Sequence, residues 1–430
     1  MNKLALSAMG LVLAASASMV MAQAAPAPAP PPAQPARQGF PQPTPLGEGP
    51  WDAQTWNAKL HVEVVARGLD HPWGMAFAPD GSILVTERPG RLRVIRDGVL
   101  DPTPIEGMPL VYATGIAGLT DIVLDPDFAS NRLLYFSYSK PDPEAGWTNA
   151  PGTNPQINAT LAVGRAKWDG GARLTEVRDI FVADSWYGKP PIPARCCGQG
   201  PASGSFGGRL ALDQEGEHLF VTSGDRNYGE MVQKPDNHFG KILRLNLDGS
   251  IPRDNPFTSV PGWEPAIWST GHRNQLGLFM DRETGTLWES EFGPRGGDEI
   301  NVIERGANYG WIDVTQGNHY NAEPAKGVRG VEGMTDPVWA FPPSGNPGNL
   351  AIYRGALFPA WQGNLLMANM SRPSSLLRMV LSPEGHVVGT ERLLENLGQR
   401  FRDVRVGPDG AVYVLTDETA GALLKITPAP

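Results

Sequence analysis

The chain has 430 residues, with 36 Lys and Arg against 45 Asp and Glu and a formal net charge of -9. That balance supplies no basic stripe for a phosphate backbone, so no nucleic acid is expected as partner and a small molecule or a protein is left. With 51 glycines and 42 prolines, the composition favours many short strands joined by tight turns over a helical bundle.

Residues 1–22 hold Lys3, an apolar stretch from Leu4 to Val20 and a small-residue cleavage pattern at Val20-Met21-Ala22, and they read as a signal peptide. The expectation is an exported protein, periplasmic or secreted. No later apolar run is long enough to span a bilayer, so no membrane span is expected in the mature chain. Residues 23–46 are Ala/Pro-rich, with Pro26, Pro28, Pro30, Pro31 and Pro32, and read as an extended, disordered leader.

Residues 47–430 carry one recurring unit of strand, Pro/Asp-Gly turn and strand. Its clearest early copy is His71-Pro72-Trp73-Gly74-Met75-Ala76-Phe77-Ala78-Pro79-Asp80-Gly81, leading into a strand from Ile83 to Glu87. Looser copies begin near Gly118, Gly207, Asn274 and Asn349. The sixth is Arg402-Asp403-Val404-Arg405-Val406-Gly407-Pro408-Asp409-Gly410, leading into Val412 to Thr416. One such unit cannot bury both of its faces, so the copies must pack on one another. The expected fold class is all-β, a six-bladed β-propeller whose central mouth is a ready ligand site.

The two cysteines, Cys196 and Cys197, are adjacent. In an oxidising compartment they can join each other, bridge two chains, or remain free thiols. In a propeller, ligand residues gather at strand ends, and four polar clusters occupy such places. They are Gly271-His272-Arg273-Asn274-Gln275; Glu291-Phe292-Gly293-Pro294-Arg295-Gly296-Gly297-Asp298-Glu299-Ile300-Asn301 with Asn308-Tyr309-Gly310-Trp311; Arg372; and Arg400-Phe401-Arg402-Asp403. If the blades assemble as expected, Arg273, Arg372, Arg400 and Arg402 converge on one mouth and make a socket for a polycarboxylate, since each guanidinium is a planar fork of donors. The competing structural reading pairs Arg273 and Arg402 with Asp298 or Asp403. Glycines at 293, 296 and 297 allow backbone carbonyls to approach a hard cation such as Ca²⁺.

These motifs, with Gly240-Lys241-Ile242-Leu243-Arg244-Leu245-Asn246, resemble the soluble quinoprotein glucose and aldose sugar dehydrogenases, the glucose/sorbosone dehydrogenase family. The resemblance runs from about Leu69 to about Ile426. It implies a propeller that holds pyrroloquinoline quinone (PQQ) and Ca²⁺ at its mouth and oxidises an aldose, or a related alcohol or aldehyde, by hydride transfer to the quinone. The electrons would then pass to an acceptor outside the chain, a quinone or a cytochrome. By position, Arg273 and Asn274 match the pair over the quinone, and Gly293 and Pro294 match the carbonyls that ligate the cofactor's Ca²⁺. Arg372 stands where the family has a lysine against a PQQ carboxylate; Arg400 and Arg402 match the rest of the carboxylate clamp. Asp298 matches an acidic residue beside the pocket, and Glu299 matches a ligand of a separate structural Ca²⁺.

The substrate-facing half departs from the family pattern. The family's catalytic histidine is replaced by Ser205, in Gly204-Ser205-Phe206-Gly207-Gly208-Arg209-Leu210; a family glutamine is Ile116, and a glutamine or histidine is Phe292. Serine alone is a poor general base, and a positioned base contributes roughly 10²–10⁴-fold. The alternative is therefore a catalytically impaired carbohydrate- or quinone-binding propeller. His272, His238 and Asp225 are weighed as substitute bases, each with a local structural role as the competing reading.

Overall fold

The structure is a computed structural model that describes residues 45–148, 157–186, 204–321, 324–341, 343–371 and 374–430. The signal peptide, all but the last two residues of the leader, Arg372, Cys196 and Cys197 lie outside the described residues.

Six antiparallel sheets make the blades. Their innermost strands are Pro72–Phe77, Leu119–Leu124, Gly207–Leu212, Gln275–Asp281, Pro347–Ile352 and Phe401–Val406. All six begin within two residues of the repeat starts read from the sequence. Each of these strands packs on the next, and Phe401–Val406 packs on Pro72–Phe77, which closes the ring. Inner strands are covered on both faces and are almost wholly buried, whereas the outer strand Val387–Leu393 alternates exposed and covered positions.

The turn chemistry explains the first hairpin of the first and last blades. Asp80 accepts a hydrogen bond from the Ser82 N–H at 2.9 Å, and Asp409 one from the Ala411 N–H at 3.1 Å. The glycine between them takes a left-handed conformation, φ +86° at Gly81 and +80° at Gly410, which other residues adopt at a cost. The sixth blade is completed by the chain's own beginning: Lys59–Leu69 pairs with Gly421–Pro428, from Leu60 opposite Pro428 to Leu69 opposite Gly421. Trp51–Gln54 adds a fifth strand outside it.

Every innermost strand shows a register shift against its neighbour near its own start: Pro72/Gly74, Leu119/Ile122, Gly207/Leu210, Gln275/Gly277, Pro347/Leu350 and Phe401/Asp403. Such bulges re-aim side chains at one end of a sheet. At Phe401–Val406 the consequence is direct. Arg402 turns to Asp417, while Asp403 turns inward to Arg209 and Arg405.

Arg209, Asp121, Asp403 and Arg405 form a neutral, interlocked charge ring between three blades. Arg209 Nη1 lies 3.4 Å from Asp121 and 3.3 Å from Asp403; Arg405 reaches the same two carboxylates at 2.6 and 3.1 Å. Removing one member would strand an unpaired buried charge, the costly case for such networks. Beyond the ring, where the inner strands finish, lies a cavity of about 730 Å³ on whose lining Arg354 pairs with both Asp281 and Glu283.

Candidate active site

Opposite that cavity, at the end where inner strands start, an apolar floor is formed by Trp73, Leu276 and Met370, with Phe292 packed against it. These four come from blades one, four and five and from the turn after Glu291. Three predicted arginines border this floor. Arg273 Nη1 donates to the carbonyls of Phe292 at 3.1 Å and Gly293 at 3.0 Å. Arg400 Nη1 donates to the Met370 carbonyl at 2.9 Å, and the Arg402 guanidinium stands 5.9 Å from the Trp73 ring centre.

The competing ion pairs for Arg273 and Arg402 are not the ones formed. Arg402 donates to Asp417 at 2.5 Å, Arg400 to the same carboxylate at 3.2 Å, and Arg88 stands 3.8 Å from it. Three guanidiniums on one carboxylate leave positive charge over. Burial lowers the Arg402 pKa to about 10. Burial would raise Asp417, but Arg402, Arg88 and Arg400 hold its carboxyl well below the ordinary value. The Nε atoms of Arg273 and Arg402 are both buried and have no hydrogen-bond partner among the described residues. Buried guanidinium donors left unmatched are what an anionic ligand would satisfy.

Arg88 and Asp417 were not singled out in the sequence. In an antiparallel hairpin the finish of the second strand lies beside the start of the first, so Arg88, just after Ile83–Glu87, and Asp417, just after Val412–Thr416, reach the same mouth. Looking at second-strand finishes as well as first-strand starts would have found both.

Gly293 opens a backbone cradle. A Cβ there would run into the carbonyls of Gly296 and Gly297, and both of those glycines have positive φ, +78° and +66°. Asp298 fixes the cradle by accepting from the Gly293 N–H at 2.8 Å, Ser344 Oγ at 2.5 Å and the Asn346 N–H at 2.7 Å. Burial raises its pKa against those donors. Its oxygens serve blades four and five, so Asp298 positions the loop. Glu299 is buried beside Arg273, Tyr309 and Trp311, and burial together with Glu291 pushes its carboxyl well above the ordinary value.

Ser205 lies directly before the inner strand of blade three, buried, with φ +50°. Arg226 and Asn227 share this conformation, at +55° and +56°, so three non-glycine residues in a sparsely populated region meet at one place. The Ser205 hydroxyl donates to Asn227 Oδ1 at 3.2 Å and lies beside the Asp225 carboxylate, whose ionised form it favours. Asp225 caps the Asn227 N–H at 2.8 Å, as its turn reading requires, and also takes the Trp311 indole N–H at 2.8 Å. Burial raises the Asp225 pKa, opposed by Arg273. Asn274 links the two groups, its side-chain oxygen accepting from the Gly207 N–H at 3.3 Å. Ile116 is exposed. The other two candidate bases are engaged elsewhere: His272 lies between Ser269 Oγ at 2.9 Å and Glu291 Oε1 at 3.3 Å, and burial and then Lys241 press the His238 pKa down to about 3.

The sequence from residue 69 to residue 425 matches the family model described as glucose/sorbosone dehydrogenase. The chain belongs to the glucose/sorbosone dehydrogenase family. The aldose sugar dehydrogenase YliI of Escherichia coli is 39% identical, aligned over 86% of this chain and 94% of its own. The apo crystal structure of the soluble aldose sugar dehydrogenase from Escherichia coli superposes with a TM-score of 0.76 at 37% identity, covering 86% of this chain and all of that one. A PQQ-bound aldose sugar dehydrogenase from Streptomyces coelicolor superposes at 0.64 with 26% identity, covering 86% of this chain and 99% of that one. Membership in a dehydrogenase family places the chain among oxidoreductases, and the six-bladed propeller expected from the repeats is the fold observed.

Proposed function

We propose that this protein is an exported, PQQ- and Ca²⁺-dependent dehydrogenase of aldoses or related alcohols and aldehydes. One observation carries the reading: Arg273, Arg400 and Arg402 border a single apolar floor, two of them with buried, unmatched Nε donors, beside the Gly293 cradle. A flat tricarboxylate matches that floor and those forks. Asn274 and Arg372 complete the proposed cofactor contacts, Gly293 and Pro294 offer carbonyls to its Ca²⁺, and Glu299 is a ligand for a separate structural Ca²⁺. Export rests on the pattern in residues 1–22; among the described residues no helix is long and apolar enough to cross a membrane.

When bound, PQQ supplies a two-electron acceptor for the hydride leaving the substrate carbon. The chain must then receive the hydroxyl proton. The Ser205 hydroxyl is the proposed relay and the Asp225 carboxylate the acceptor, since the two lie side by side and burial raises the Asp225 pKa. Trp311 and the Asn227 N–H hold that carboxylate in place. Ile116 and Phe292 give the substrate side an apolar character.

Apoprotein loaded with PQQ and Ca²⁺ is expected to reduce an artificial dye with at least one aldose, sorbosone-like aldehyde or alcohol, and a blank screen would contradict the reading. A second reading, a binding propeller with impaired turnover, is favoured by serine in the histidine position. It expects PQQ binding without dye reduction, with Ser205→His creating turnover.

A further inference from the structure

One group of buried ionisable side chains is used neither by the fold's charge ring nor by the proposed mechanism. Glu289 and Glu291 are two apart on the strand Thr286–Glu291 and so share a face; across the sheet, Asn301 stands opposite Glu289 and Glu299 opposite Glu291. His272, from the turn before blade four, closes the group. His272, Glu289 and Asn301 are wholly buried and Glu291 nearly so.

We propose that His272, Glu289 and Glu291 bind a divalent cation of the zinc–manganese class, at a site one cross-strand pair deeper than Glu299. Ligand atoms of these three side chains all lie within 4.8 Å of one another. Two ligands of one ion bonded at about 2.0–2.4 Å can stand no farther apart than roughly that. Glu291 Oε2 accepts from the Arg273 N–H, but the rest of the group is poorly matched. Glu289 Oε1 and Asn301 Oδ1 are buried and have no hydrogen-bond partner among the described residues. The Asn301 amide nitrogen is shared between Glu289 at 3.0 Å and Glu291 at 3.4 Å, which holds both carboxylates against the same point. His272 Nε2 faces Ser269 Oγ at 2.9 Å, which leaves Nδ1 turned to Glu291 Oε1 at a long 3.3 Å.

Among the described residues no Lys or Arg forms an ion pair with Glu289. Burial, Glu291 and Glu299 all disfavour its ionised form, and only the Asn301 amide favours it. A proton on Glu289 would neutralise one of the two carboxylates, whereas a divalent ion would take Oε1, Glu291 and His272 Nδ1 together and neutralise both. Nitrogen among the ligands favours Zn²⁺ or Mn²⁺ over Ca²⁺, which takes oxygen. Since the site is enclosed, the ion would enter during folding and contribute to folding stability.

The test unfolds the full-length protein in guanidinium with a chelator, refolds it with Ca²⁺ and either Zn²⁺ or Mn²⁺, and counts metal per chain. About one equivalent of Zn or Mn is expected to survive EDTA dialysis, with a melting midpoint above that of protein refolded with Ca²⁺ alone. Glu289→Gln is expected to remove both the equivalent and the midpoint difference, while Glu299→Gln keeps the equivalent. Less than about a tenth of an equivalent in the wild type, or a full equivalent in Glu289→Gln, overturns the proposal. Should Glu289→Gln fail to refold, the wild-type count decides. No quinone or substrate enters the measurement, so its outcome is separate from that of the proposed dehydrogenase.

Discussion

The pair Ser205 and Asp225 carries the heaviest chemical demand in the molecule. If Asp225 accepts the substrate proton, kcat/KM rises with pH as its carboxyl ionises, and that limb lies above the ordinary aspartate range because burial raises the pKa. Asp225→Asn is expected to cut kcat by roughly 10²–10⁴-fold and abolish the limb while PQQ binding persists, read by steady-state kinetics across pH. Retained activity with an unchanged pH profile would remove Asp225 from the reaction. Arg273, Arg400 and Arg402 were legible in the sequence because they stand at first-strand starts. Their partner was not: the bulge between Phe401 and Asp403 sends Arg402 to Asp417, a switch of side that a period-two pattern does not reveal. Asp225 was read as a turn residue, and it is one. The contact with Ser205, some twenty positions upstream, needed the third dimension.

At the scale of single elements, the loop from Gly293 to Asp298 is held by close backbone contacts more than by side chains. Gly293→Ala forces a methyl into the carbonyls of Gly296 and Gly297, so a folded protein with Ca²⁺-dependent PQQ affinity reduced by at least about tenfold is expected, measured by titration. The segment before Lys241–Asn246 carries a pH-sensitive tie between blades: the Asp184 N–H donates to His238 Nδ1 at 2.8 Å, and the His238 N–H returns to the Asp184 carbonyl at 2.9 Å. With a folded pKa of about 3 against an ordinary 6.5, unfolding takes up a proton between those values. This contribution is therefore complete above pH 6.5 and is lost as pH falls towards 3. Replacing the imidazole, as in His238→Asn, is expected to flatten the loss of stability between pH 6.5 and 5 by about 2 kcal/mol, read from denaturant unfolding at each pH. The glycine spacing of the 293–297 loop was plain in the sequence; the His238 tie joins two blades and left no local signal.

Across the whole molecule, the repeat starts near residues 71, 118, 207, 274, 349 and 402 announced six inner strands, because each opens an aliphatic-rich stretch that runs through a turn into a second strand. The closure was not announced. Lys59–Leu69 is read before any repeat begins, yet it supplies an outer strand of the last blade. Removing residues 1–44 is expected to leave the melting midpoint within a few degrees, whereas removing residues 1–69 should abolish cooperative unfolding by uncovering the Gly421–Pro428 edge. The convergence of three arginines on one floor is a property of the closed ring, and it can be tested as such. Apoprotein titrated with PQQ, with and without Ca²⁺, is followed by quinone absorbance. Saturable one-to-one binding that requires Ca²⁺ and weakens by at least about tenfold in Arg402→Ala is the expected result. A quinone spectrum unchanged by the protein, or binding indifferent to Ca²⁺ and to Arg402, would contradict it.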